Sequence, residues 1–418
     1  MSDPPAATDA TAGAELGAPT MGARLAVGAA SLLFLVIVAV CLVVPLVQTL
    51  MPIFPNMVAP LEERRQPLPF PSPRLLLQAN GNFADGLNAW FDDRVGFRDL
   101  FIRTKNQIDY SLFRTSRKVY VGKDGWLFDR DVVDPLGQLT PAQMAAFEQS
   151  FVTLAEMLAH RGIRLVVVGH PDKVRIYPEM APPNMPLPLP NDNVSKLRQF
   201  LASQPSLIFV DAEAILMKEK SRTSEHLFAK TDLHETEAGA LPVVMEIIAR
   251  IAQAEGRPEI HWQEDFKLAH EIWGPGNEGR FLAPLVSITE ADFPYFIGRY
   301  TVGKEEPDGS WHVPDPKVLD GVDDGRARAF DFEFNSRPDL CPQRLPGMVL
   351  FGNSFSDLYW MMGLHRYFCF SRRARNPMSR FKLFYDTIPE GTKYFIFQYY
   401  VPWLASDGPP VDQLATRH

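Results

Sequence analysis

The sequence predicts an α/β protein: a mostly parallel sheet sandwiched between helical layers, carried behind one apolar N-terminal segment. Two observations predict the sandwich. Short apolar runs such as Arg164–Gly169 (RLVVVG), Ser206–Val210 and Met348–Gly352 are separated by helix-length stretches. Strands covered on both faces read as continuous apolar runs, and alternation with helices favours parallel pairing. A third observation predicts the anchor. Leu25 to Val44 carries no charge, and at 1.5 Å rise per residue it spans about 30 Å, one hydrocarbon core.

Taken in order, residues 1–22 are Ala, Thr, Pro and Gly-rich and are expected to be disordered. Residues 23–47 are expected to form an uncleaved transmembrane anchor. A signal peptide is the competing reading, but its apolar region would be shorter and followed by a small-residue cleavage site. Charge is weak evidence for orientation here, with Arg24 before the span and Arg64 and Arg65 after it. Residues 48–80 form a Pro-rich linker. Eight prolines from Pro45 to Pro73 argue against helix and for a stiff, extended spacer. From Asn82 to Phe113, apolar residues recur near the helical period with a break at Gly96, a stripe suited to core or partner-helix packing.

Val119–Phe128 reads as a hairpin turning at Lys123-Asp124-Gly125. Helices are expected at Pro141–His160, Asn191–Ala202, Ala212–Lys220, Glu235–Ala254 (bent near Pro242), Phe355–Leu364 and Pro377–Tyr385. Further strands are expected at Tyr367–Phe370 and Tyr394–Gln398. The sandwich therefore falls in two parts, 81–258 and 346–405. Residues 259–345, rich in Gly, Pro, Asp and Glu, form an insertion of short strands and long loops, and 406–418 a tail. No internal repeat is present.

Of the 418 residues, 22% are charged and 46% hydrophobic, an ordinary globular balance. The net charge of -8 and the lack of a basic run argue against a nucleic-acid partner. The three cysteines make no zinc-spaced cluster. Cys341 and Cys369 are expected as two separate buried thiols, with one disulfide as the alternative in an oxidising compartment.

Three groups carry chemistry, each at the carboxyl end of a strand or entering a helix, where open sheets bind ligands. In Gly352-Asn353-Ser354-Phe355-Ser356 the Gly permits a tight turn into a helix. The following N–H groups and the Asn353 amide are candidate oxyanion donors around a nucleophilic Ser354. Ser and Asn at that place also serve as helix caps. In Asp232-Leu233-His234, side chains two apart in an extended stretch share a side. Asp232 can then orient His234, and His234 can take the Ser354 proton. A capping Asp with an exposed His, or half of a metal site, are the alternatives. In the third group, His170, Lys173 and Tyr177 can face the same cleft and touch substrate; a plain chain-turning loop is the alternative. No metal site or cofactor is expected.

Read in order, these residues resemble the alginate O-acetyltransferase family of SGNH-hydrolase-like proteins, the AlgJ/AlgX type. The matching segments are FDDRVGFRDLF, VYVGKDGWLF, VVVGHPDKVRIYPE, TDLHETEAGA and VLFGNSFSD, in the order Asp-x-His before Ser. Asn353 stands where many members carry Asp. The final strand leads into Gln398-Tyr399-Tyr400 in place of an acidic-basic pair. Tyr399, Tyr400 and Trp403 would stack on sugar rings or pack in the core.

The resemblance implies an SGNH-like three-layer sandwich and a single-pass inner-membrane protein with its soluble domain in the periplasm. It implies acetyl transfer through Ser354, with Asp232 and His234, onto hydroxyls of an exported polysaccharide. The acetyl donor would be a membrane-bound O-acyltransferase partner. An acetylesterase with the same triad, or a non-catalytic scaffold or sugar-binding subunit of an export complex, are the competing functions.

Overall fold

A computed structural model describes residues 21–54, 57–61, 66–77, 82–134, 140–300, 304–305, 311–312, 330–375, 378–403 and 408–415. The expectations for residues 1–20, for the rest of the linker, for most of 301–329 and for 416–418 lie outside the described residues. The chain divides into two compact units, Met1–Ile102 and Arg103–His418.

In the first unit, helix α1 runs Met21–Leu50, and its stretch Ala29–Leu50 has a mean hydropathy of 3.1. It is a candidate membrane anchor by length and composition. Pro45 lies inside α1, contrary to the expectation that this proline ends helical structure. Prolines are tolerated in apolar helices when neighbouring groups satisfy the backbone atoms they free; one turn on, the Thr49 hydroxyl donates to the Pro45 carbonyl at 2.7 Å. The linker holds a short 3₁₀ helix at Pro73–Leu77 where an extended spacer was expected. Helices α2 (Phe83–Asp92) and α3 (Arg98–Ile108) flank the expected break, where Phe97 takes a positive φ of 62°.

The second unit begins with the hairpin β1 (Val119–Val121) and β2 (Leu127–Asp129), paired antiparallel as its turn chemistry predicts. The sheet that follows uses β3 (Arg164–His170), β4 (Leu207–Val210), β9 (Phe332–Asn335), β10 (Gly347–Gly352), β11 (Phe370–Arg375) and β12 (Thr392–Tyr400). Its order is β4-β3-β12-β10-β11-β9, parallel except for the edge strand β9. Alternation of side chains along each strand splits the core in two. Val166, Val168, Met348, Leu350 and Ile396 meet one helical layer. Leu165, Val167, Val349, Phe351, Phe395 and Phe397 meet the other. The first face is covered by helices Ala212–Lys220, Glu237–Ala254 and Phe355–Met361, the second by Pro141–Ala159, Asn193–Ser203 and Phe381–Asp386. Pro242 lies within the helix Glu237–Ala254. The fold is an α/β sandwich on a mostly parallel sheet.

Three elements differ from the sequence reading. The strand expected at Tyr367–Phe370 begins at Phe370 and runs through FSRRAR, while Leu364–Tyr367 forms a 3₁₀ turn. An apolar scan misses that strand because its core position is Arg373, buried and paired with Asp331 and Asp357. Cys341 and Cys369 are joined in a disulfide rather than standing as separate thiols. Their segments already lie side by side, because the Leu345 and Cys369 backbones bond across the start of β10. Finally, the expected insertion contains a helix, Asn277–Leu282, between the ribbon strands β5 (Lys267–Trp273) and β6 (Glu290–Ile297), and a second short ribbon, β7 (Lys304–Glu305) with β8 (Trp311–His312).

Candidate active site

Strand β10 ends at Gly352, and Ser354 opens the helix Phe355–Met361. A Cβ at Gly352 would lie 2.5 Å from the Gln398 Oε1, so a larger residue there would displace the neighbouring strand's side chain. That oxygen accepts the Asn353 N–H at 2.9 Å and ties the turn to β12. The Asn353 side-chain oxygen accepts the Phe355 N–H at 3.1 Å, the bond of a helix cap. Asn353 is buried with its amide engaged in the turn. The Ser356 hydroxyl donates to the Asn353 carbonyl at 2.6 Å.

The second contributor is the loop entering the helix Glu237–Ala254. Thr236 caps that helix, its hydroxyl oxygen accepting the Gly239 N–H at 3.3 Å. Just before it, Phe228 and Glu235 form a short antiparallel bridge, and residues 230–234 between them follow bends rather than the extended stretch expected. Leu233 is buried in the core, while Asp232 and His234 are brought together by the bend. The Asp232 Oδ1 accepts both the His234 backbone N–H at 3.0 Å and the ring Nδ1–H at 2.6 Å. That bond fixes the tautomer, leaving Nε2 to face the Ser354 hydroxyl at 2.6 Å. Two stretches 120 residues apart thus meet in one hydrogen-bonded line, Asp232–His234–Ser354.

Solvent reaches one end of this line. The His234 side chain is 24% exposed and that of Asp232 8%. Burial alone would push the Asp232 carboxyl up. The His234 ring, its charge, and the backbone N–H groups of Asn277 and His234 outweigh burial and hold Asp232 below the ordinary carboxylate range. A low-lying carboxylate stays ionised while the imidazole gains and loses a proton, as a base-orienting group requires.

His170, Lys173 and Tyr177 do not face this cleft. All three are buried, because the turn after β3 packs inward against the loop. His170 Nδ1 meets Glu235 Oε1 at 2.7 Å, and its Nε2 meets the Tyr359 hydroxyl. The Tyr177 hydroxyl accepts the Leu227 N–H at 3.0 Å. Phe355 lies between the two histidines, 4.7 Å from each ring centroid. Tyr399 and Tyr400 are core residues, with Tyr400 stacked on Phe355 at 4.8 Å, while Trp403 is 36% exposed. Among the described residues no group of three His, Cys, Asp or Glu side chains is arranged to hold a metal ion.

Sequence reasoning missed the insertion's part in this site. The Asn277 N–H donates to Asp232 Oδ2 at 2.7 Å. Glu290 accepts from the Lys230 N–H, the Thr231 N–H and the Thr231 hydroxyl at 2.6–2.9 Å. Glu278 is buried beside Lys173 at 3.0 Å. The only local signal was Gly274-Pro275-Gly276-Asn277, turn chemistry that announces a helix start but names no partner.

Residues 119–283 match the family model described as SGNH hydrolase-like domain, acetyltransferase AlgX. That stretch of the chain is similar to the AlgX-type acetyltransferase domain. Asp232 and His234 lie within the match and Ser354 beyond it. The chain is 28% identical over 186 residues to a Pseudomonas syringae pathovar tomato protein named "Probable alginate O-acetylase AlgJ", covering 43% of this chain and 46% of the relative. The Pseudomonas aeruginosa protein of that name is also 28% identical, over 42% of this chain and 44% of the relative. The chain thus spans about half the length of the curated relatives it matches. The solved O-acetyltransferase domain of Pseudomonas putida AlgJ is similar with 16% identity and a TM-score of 0.40, over 68% of this chain and 91% of that one.

Proposed function

We propose that this protein is an O-acetyltransferase that passes acetyl groups through Ser354 to hydroxyls of an exported polysaccharide, from the periplasmic side of the inner membrane. The single observation that carries the reading is the line Asp232–His234–Ser354, with both links at 2.6 Å. The names of the AlgJ relatives support acetyl transfer and a polysaccharide acceptor. The apolar helix Ala29–Leu50 supports anchoring.

In the first half-reaction His234 Nε2 takes the Ser354 proton, and Oγ bonds to the acetyl carbonyl carbon of the donor. The carbonyl electron pair moves to oxygen and returns as the bond to the donor's leaving group breaks, and the leaving group takes the proton from His234. Acetyl-Ser354 remains. In the second half-reaction His234 deprotonates a sugar hydroxyl, whose oxygen bonds to the acetyl carbon and releases the Ser354 oxygen, which regains the proton. Asp232 stays ionised throughout and stabilises the imidazolium. Transfer rather than hydrolysis requires a sugar hydroxyl to be positioned better than water. A membrane-bound O-acyltransferase partner supplies the acetyl group from the membrane side.

The test is to give the full chain in detergent an activated acetyl ester, with and without oligosaccharide acceptors. An acetyl mass on the Ser354 peptide and acetylated oligosaccharide are expected. Release of acetate to water alone, whatever the acceptor, would establish an esterase. Unaltered polymer acetylation in a strain carrying Ser354→Ala would leave only a scaffold.

A further inference from the structure

We infer that Lys173 and Glu278 are positioning residues for the base, holding the Asp232 loop against the helix Asn277–Leu282 and fixing the charge behind Asp232. The inference rests on the acyl-transfer reading above and concerns how its relay is held and tuned.

The Lys173 ammonium lies inside the domain, where a charge is costly unless closely paired. Its Nζ stands 2.8 Å from the Asp232 carbonyl, 3.3 Å from that of Lys230 and 3.4 Å from that of Ala229. The fourth oxygen around it is Glu278 Oε1 at 3.0 Å. The carbonyls of the loop are therefore gathered on one cation. On the amide side, Glu290 takes the Lys230 and Thr231 N–H groups. With its peptide planes fixed from both sides, the loop has one direction in which to aim Asp232.

Glu278 ties the helix Asn277–Leu282 to the same cation. The helix start then donates Asn277 N–H to Asp232 Oδ2 at 2.7 Å and Gly279 N–H to the Thr231 carbonyl at 3.2 Å. The contact is close: a Cβ at Gly276 would lie 2.4 Å from the Thr231 oxygen and 2.6 Å from the Asp232 Cβ.

Charge points the same way. The Glu278 carboxyl pairs with the buried ammonium, which also holds the backbone carbonyl of Asp232. The groups facing Asp232 and Glu278 are Lys173 and Asp172 from the turn after β3, Asp129 from β2, Tyr400 from β12 and His234 from the loop itself. Burial, with the Asp232 charge adding to it against Lys173, pushes Glu278 up to about 8. Loss of its proton places a second negative charge behind Asp232 and favours the imidazolium of His234.

The full-length protein in detergent is treated with phenylmethylsulfonyl fluoride. Ser354 Oγ bonds to sulfur, fluoride leaves, and the hydroxyl proton passes through His234 to solvent. Labelling is followed by mass spectrometry across about pH 5–9. Glu278→Gln keeps the side-chain shape and is expected to lose an inflection near pH 8 that the parent protein shows. Lys173→Met with Glu278→Leu replaces the pair by apolar groups, a change that tends to preserve or raise stability. Because it also leaves the Ala229, Lys230 and Asp232 carbonyls without the Lys173 donor, this double variant is expected to melt below the parent and, where folded, to label Ser354 about 10²-fold more slowly, as for a misplaced base. Should it not fold, Glu278→Gln decides alone. Either variant, folded and labelling with the parent's rate and pH profile, overturns the inference. A parent protein that is never labelled at Ser354 overturns the acyl-transfer reading instead.

Discussion

Ser354 is delivered by its own neighbourhood, strand β10, Gly352 and the helix that follows, whereas Asp232 and His234 ride on a loop held by side chains far away in sequence. The Ser354 turn is anchored by the sheet itself, with Gln398 of the adjacent strand on the Asn353 N–H. The Asp232–His234 loop is held by Lys173 from one crossover and by Asn277, Glu278 and Glu290 from the insertion. A turn stiffened by a sheet keeps its geometry through most distant changes. A loop that owes its shape to partners moves when they do.

The largest expected effects remove the meeting point itself. Ser354→Ala or His234→Ala should cut acetyl release from an activated ester by about 10⁶-fold, with stability within about 0.5 kcal/mol of the parent. A folded Ser354→Ala protein that retained turnover would break the comparison at its root. Asp232→Asn comes next, at about 10⁴-fold, because the amide favours the wrong imidazole tautomer. Measuring its rate beside the His234→Ala protein sharpens the split between orienting and proton transfer.

The next effects separate the two regions. Replacing Cys341 and Cys369 by Ser frees a loop with a sequence separation of 28. The chain-entropy account puts this cost at about 3.5 kcal/mol, read by denaturant unfolding. The residual folded protein should keep its rate, since the bridge flanks β10 and touches no relay residue. Gly276→Ala should do the reverse. A Cβ 2.4 Å from the Thr231 oxygen forces the insertion helix off the loop, costing about 1–3 kcal/mol and lowering the rate disproportionately. A Gly276→Ala protein with full activity would mean that the clamp is dispensable.

The smallest effect is a pH dependence of the clamp. Glu237 accepts the Phe296 N–H at 2.6 Å and pairs with Arg299 at 2.9 Å, docking strand β6 on the helix Glu237–Ala254. Burial raises its carboxyl from 4.5 to about 7, against the pull of those partners. The folded state then binds more protons than the unfolded chain between those values, so stability falls as pH rises from about 4.5 to 7. Melting curves at both ends should show this, and Glu237→Gln should flatten the difference. A Glu237→Gln protein with an unchanged slope would assign the pH dependence elsewhere.

Much of this was legible along the chain. The buried strands announced themselves because every side chain in LVVV or VLF must be apolar when both faces are covered. Asp232 and His234 were legible as a pair because they stand two residues apart, but a bend with the His234 N–H on Asp232 Oδ1, rather than the expected extended stretch, brings them together. His170, Lys173 and Tyr177 were legible as polar residues after a strand, but which way the turn packs is not written in its residues. Arg373 hid β11, since a buried guanidinium between two aspartates reads as a surface residue. Asn277, Glu278 and Glu290 were invisible as site residues, because their partners lie 45 to more than 100 residues away.

The sequence by itself determined the apolar N-terminal helix, the alternation of strands and helices, and the chemical types available for a proton relay. These depend on periods, spans and residue chemistry within a few turns of chain. The tertiary structure decided that the imidazole and the hydroxyl meet, that Lys173 turns inward, and that an insertion holds the acid in place. Such contacts depend on which distant surfaces exclude water together, and no single stretch of chain encodes that choice.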